Sequence, residues 1–111
     1  MDIDFIRDYV LAKEDVEETL PFGPNVLVYK VSGKVFLLLP LDTENIQFNV
    51  KCDPDKALEL REEFAAVIPG YHMNKKHWNT VIIDGSIPKK LLLEFIDHSY
   101  NLVKPKKKKS S

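Results

Sequence analysis

The stretch VLVYKVSGKVFLLLP, from Val26 to Pro40, holds two apolar, β-rich runs separated only by Ser32-Gly33. A connection this short needs positive φ, which glycine tolerates, so the pair predicts a tight hairpin between antiparallel strands. The second run, Val35 to Leu39, shows no polar alternation and is expected to be central or covered on both faces. A third strand follows in NIQFNVK, where Ile46, Phe48 and Val50 face one way and Gln47, Asn49 and Lys51 the other. The sheet therefore carries a polar face or edge.

Helical periodicity frames these strands. Residues Asp2 to Lys13 read as a helix with Ile3, Ile6 and Val10 at helical spacing and an aspartate for its N-cap. EDVEETLPFGPN reads as a connection, because Pro21, Gly23 and Pro24 break the pattern. Asp53-Pro54 supplies an N-cap and a proline at the first helical position, opening a helix whose stripe Ala57, Leu60, Phe64 and Val67 ends at Pro69-Gly70. TVIID reads as a strand, and Ser86 and Pro88 start a helix with Leu92, Phe95, Ile96, Ser99, Leu102 and Val103 in period. The predicted order is α-β-β-β-α-β-α, an α+β fold with an antiparallel sheet and helices packed on one face.

A chain of 111 residues is expected to form one domain, here residues 1–103, followed by a low-complexity, disordered tail, KPKKKKSS, over 104–111. Residues 1–103 carry all 17 acids against 11 of the 16 Lys and Arg, a formal charge of −6. The other five cations lie in the tail, so polyanion binding must rest on local placement. Nothing near Met1 resembles a cleavable signal, the single Cys52 excludes an internal disulfide, and no apolar run approaches the ~20 residues that cross a bilayer. A soluble protein in a reducing cytoplasm is the expectation.

Chemistry is concentrated in PGYHMNKKHWNT, Pro69 to Thr80. His72 and His77 lie five apart, off the spacing of one helix face, with no carboxylate nearby in sequence to complete a metal set. There is no Gly-rich phosphate loop, no nucleophile elbow and no suggestive carboxylate pair, so neither an enzyme nor a cofactor is expected. Glu14, Asp15, Glu17 and Glu18 could hold a hard cation, though they lack the alternation of a calcium loop. The stronger signal is Lys75 and Lys76 beside Asn74, His77, Trp78 and Asn79: cations for phosphate, amides for base edges and a ring for stacking. Lys30 and Lys34 flank the hairpin as a second contact point. An exposed patch of Phe22, in LPFGP, and Trp78 would instead suit a protein partner.

The chain resembles the MmcQ/YjbR family of small bacterial proteins through VEETLPFGP at Val16, YKVSGKVFLLL at Tyr29, KCDPDKALELREEF at Lys51, PGYHMNKKHWNTV at Pro69 and IDHSYNLV at Ile96. The resemblance implies a fold like that of CyaY and the frataxins. It also implies a DNA-binding role through a double-wing arrangement of hairpin and loop. Carried onto this chain, the matching positions are Tyr71, His72, Asn74, Lys75, Lys76, His77, Trp78, Asn79 and Thr80, with Lys30, Gly33 and Lys34 at the hairpin. The fold likeness implies the alternative, a frataxin-like metal site on the acids that close the first helix.

Overall fold

The computed structural model describes residues 1–70 and 74–105. Among them, α1 (Ile3–Leu11), β1 (Val16–Thr19), β2 (Val26–Val31), β3 (Lys34–Pro40), β4 (Gln47–Lys51), α2 (Pro54–Glu63), β5 (Val67–Pro69), β6 (Trp78–Ile82) and α3 (Lys89–Val103) follow in that order. The strands form one sheet, β1-β2-β3-β4-β6-β5, with every neighbouring pair antiparallel. This is the expected α+β class with two more strands than the periodicity predicts.

Both additions have a physical cause. β1 is VEET, too polar to read as a strand, yet Val16 sits opposite Val31 and Glu18 opposite Tyr29. Glu18 tolerates this inward position because the Arg7 guanidinium donates to both its oxygens, at 2.9 and 3.0 Å, and the Tyr29 hydroxyl donates at 2.6 Å. That fork holds Glu18 below the usual carboxylate range, against burial, which pushes the other way. β5 falls where helical spacing predicts a stripe running on to Val67. The helix stops at Glu63, Phe64 is extended, and Val67 and Ile68 pair with Val81 and Thr80. Strand pairing of β-branched residues overrides a stripe that continued by coincidence of spacing.

The hairpin forms as its sequence demands. Ser32 and Gly33 take φ of 51° and 81°, the two positive values of a type I′ turn. Beyond it, β3 runs between β2 and β4 as an interior strand.

Among the described residues, the helices cover one face of the sheet. α3 packs against β3 and β4, α1 against β1, and α2 against β5. Ile6, Val10, Phe95 and Ile96 from the helices meet Tyr29, Phe36, Leu39, Phe48, Val50 and Val81 from the sheet. Burial of each such side chain contributes about 1.5–3 kcal/mol. Ser99 is a polar position within this core. Ser99, 0% exposed, donates its hydroxyl to the Phe36 carbonyl at 2.5 Å and accepts the Lys51 N–H at 2.8 Å. It thus pins α3 across the junction of β3 and β4.

Helix entry is set by side-chain caps. Asp2 accepts from the Phe5 N–H, and Asp53 accepts from the Asp55 and Lys56 N–H groups ahead of Pro54 at the first turn. The Asp53 N–H in turn donates to Nε2 of His98 on α3 at 3.2 Å, which requires that nitrogen to be unprotonated. Burial first, and Lys56 second, push the His98 imidazole below its ordinary 6.5, opposed by Asp53. Because the unfolded chain then binds the extra proton, stability falls as pH drops below about 6.5, until the lowered folded-state value is passed. We expect the His98 ring to titrate below 6.5 by NMR, and His98→Gln to flatten the pH dependence of the urea midpoint in that window. An unchanged slope would remove this linkage.

Candidate nucleic-acid interface

In the connection between β5 and β6, residues 74–77 form a braced turn. The Asn74 carbonyl accepts from the N–H groups of His77 (3.1 Å) and Trp78 (3.0 Å), and its side-chain oxygen accepts from the Lys76 N–H (3.0 Å). Such Asx closure shapes a loop tip and leaves little of Asn74 for a base edge. The His77 carbonyl takes the Cys52 N–H at 2.7 Å, tying the loop to the end of β4. Gly70 closes the other side: a Cβ there would lie 2.9 Å from the Cβ of Trp78, so only glycine lets the two strands meet without displacement.

Arg61, on α2, holds this loop from below. Its Nε donates to the Asn79 side-chain oxygen at 2.7 Å, and its Nη2 donates to the carbonyls of Lys75 and Trp78. Asn79 is 1% exposed and faces the helix layer. The expectation that it offers an amide to a base is therefore corrected: strand alternation turns it inward, where it anchors the loop. Thr80 is likewise buried on the opposite side of β6 and donates to the Asn49 side-chain oxygen. Lys75 and Lys76 are exposed, whereas His77 and Trp78 are half-buried. Tyr71 and His72 lie outside the described residues, as does the tail from Lys106 onward.

Sheet register brings the hairpin and this loop to one end. Lys51 pairs with Trp78, Leu37 with Val50, and Val31 with Lys34. The β2–β3 turn, the end of β4 and the β5–β6 loop consequently all emerge from the same edge of the layer. Lys51 and Trp78 share the helix-free face, because Phe48, Val50, Asn79 and Val81 occupy the other. Lys34 and Lys30 stand two and three strands from Trp78, and one and two from Lys51, at about 4.8 Å per strand. Lys51 is the contact that periodicity could not supply. Its outward position was readable, but its pairing with Trp78 was not.

The YjbR family model matches residues 11–102, which include α2, the hairpin and the loop. The chain belongs to the YjbR family. It is 43% identical to YbdF of Escherichia coli O157:H7 over 79% of this chain and 72% of that protein. It is 30% identical to YjbR of Escherichia coli K12 over 98% and 96% of the two chains. Among solved structures, the DUF419-domain protein DR2400 of Deinococcus radiodurans superposes with a TM-score of 0.87 at 36% identity, covering 91% of this chain and 77% of that one. A Pseudomonas syringae protein superposes at 0.81 with 27% identity, over 94% and 100% of the two chains.

Within this YjbR domain the acidic quartet is divided. Glu18 faces the helices and is engaged by Arg7 and Tyr29, while Glu17 stands opposite Lys30. Among the described residues no three His, Cys, Asp or Glu side chains converge as metal ligands would. Cys52 is buried, and burial pushes its thiol up, which keeps it protonated and poorly nucleophilic. No helix among the described residues is long and apolar enough to cross a membrane.

Proposed function

We propose that this YjbR-family protein binds duplex DNA without catalysing a reaction, through the end of the sheet that carries the hairpin and the β5–β6 loop. The observation that supports it is the Lys51–Trp78 pairing, which gathers Lys30, Lys34, Lys51, Lys75 and Lys76 at one end of a body that is otherwise acidic. Lysines there hold phosphates, and the half-buried Trp78 offers a ring edge near the groove. Asn74 and Asn79 serve the loop's shape, so the contact is backbone-directed and weakly dependent on sequence.

The alternative, a metal protein in the manner of the CyaY-like frataxins, draws on Glu14, Asp15, Glu17 and Glu18. Its support is smaller, because Glu18 already satisfies Arg7 and Glu17 lies against a lysine across the β1–β2 pair.

Fluorescence anisotropy with a labelled duplex at several salt concentrations tests the proposal. Both proteins are truncated after Lys104, beyond the end of α3, to remove background from the tail. Lys51→Ala/Lys75→Ala/Lys76→Ala is expected to weaken binding at least about tenfold at low salt. The slope of log K against log salt should become shallower by about 0.9 for each phosphate that is no longer neutralised. Equal affinity of parent and triple variant would refute the interface.

A further inference from the structure

The helix-free face of the sheet is not a flat polar surface. Phe22 on one side and Ile68, Pro69 and Lys75 on the other wall a groove of about 1000 Å³, floored by Val26, Leu38, Pro40, Gln47, Asn49 and Thr80. The turn at Leu20–Gly23, closed by the Gly23 N–H to the Leu20 carbonyl, holds Phe22 outward at 72% exposure. An aromatic ring that exposed is costly to leave in water. On the floor Thr80 spends its hydroxyl on the Asn49 side-chain oxygen, and most of the remaining lining is apolar. The groove thus asks its occupant for apolar surface rather than for hydrogen bonds.

Its dimensions select the occupant. From β2 to β5 the sheet order counts four inter-strand gaps, about 19 Å, and an α-helix with its side chains is about 10–12 Å across. From the level of Gln47 to that of Lys51 is four residues of strand, about 13 Å, which accommodates some two and a half helical turns. Charge sets the direction. Lys75, with Lys51 nearby on the same face, marks one end, and Asp42 marks the other. A helix whose free carbonyls and acidic last turn meet the lysines, and whose N–H end meets Asp42, matches both.

We propose that this face docks an amphipathic α-helix of a partner protein, its apolar stripe on Leu38 and Ile68 and its acidic C-terminal turn at Lys75. The helix would complete a three-layer α/β/α arrangement over the face that the described helices leave bare. This goes beyond DNA binding and shares with it only Trp78 and the lysines at the loop end.

The test uses a synthetic peptide of about fourteen residues, leucines at helical spacing and glutamates in the last turn, titrated into ¹⁵N-labelled full-length protein. A second peptide carries lysines in place of those glutamates. We expect shifts at Leu38, Asn49, Ile68, Thr80 and the Trp78 indole, with the glutamate peptide binding at least about fivefold tighter. Leu38→Gln, or Ile68→Gln should the first variant fold poorly, is expected to abolish these shifts and to leave duplex-DNA affinity within about twofold. Absence of shifts at millimolar peptide, equal response to both peptides, or shifts confined to the helix layer would each overturn the proposal. Loss of DNA binding in the lysine variants is a separate readout, so the two ideas fail independently.

Discussion

Replacing Ser99 with alanine is expected to destabilise the protein by about 2–4 kcal/mol, measured as a fall in the urea midpoint at unchanged m-value. The side chain is small, and its volume is a minor part of the effect. What disappears is the common partner of two backbone groups, the Phe36 carbonyl and the Lys51 N–H, at a position with 0% exposure. Each orphaned group carries a desolvation penalty of about 1–3 kcal/mol. Hydrogen exchange gives the local signature: the Lys51 amide should lose protection beyond that explained by the global change. A loss below about 0.5 kcal/mol would mean that water or a shift of α3 replaces the hydroxyl.

Arg61→Ala is expected to cost about 1–3 kcal/mol and to loosen the loop that carries Lys75 and Trp78. The guanidinium joins three acceptors, the Asn79 side-chain oxygen and the carbonyls of Lys75 and Trp78. Its removal leaves a 1% exposed amide without its charged donor. Lysine should not rescue, because one ammonium cannot span the same fork. Adding Asn79→Leu to Arg61→Ala should recover part of the loss, since the buried acceptor goes with its donor. Thermal melts of the four proteins form a double-mutant cycle, and strict additivity would sever the assigned coupling. DNA affinity should fall in Arg61→Ala by more than the removal of one surface charge accounts for, because the lysines above it lose their placement.

These two residues also mark where sequence reasoning stops. The hairpin was legible because Ser32-Gly33 leaves few other backbone solutions, and the outward set Gln47, Asn49 and Lys51 followed from alternation. β1 was hidden because its inward Glu18 depends on Arg7, eleven residues away, and on Tyr29, both of which only the fold supplies. β5 was hidden because Val67 satisfies helical and strand periods alike. Helical period places Ser99 in the buried stripe of α3, but its two partners lie 63 and 48 residues distant. At the candidate site, residue types pointed to the β5–β6 loop, while the division of labour within it did not. Asn79 faces inward and Lys51 joins from another strand, and each is a matter of register rather than of composition.

The margins of the sheet have a consequence for the protein in bulk. An open antiparallel layer ends in two rows of unpaired amides that invite a second molecule to continue it. Here one margin is the four-residue β1, whose Glu17 and Glu18 would meet like charges in a self-pairing copy, and the other is the three-residue β5, ending in Pro69. Short length, carboxylates and a proline are recognised obstacles to edge-to-edge polymerisation. These two margins therefore deny copies of the molecule a strand-by-strand route to fibres.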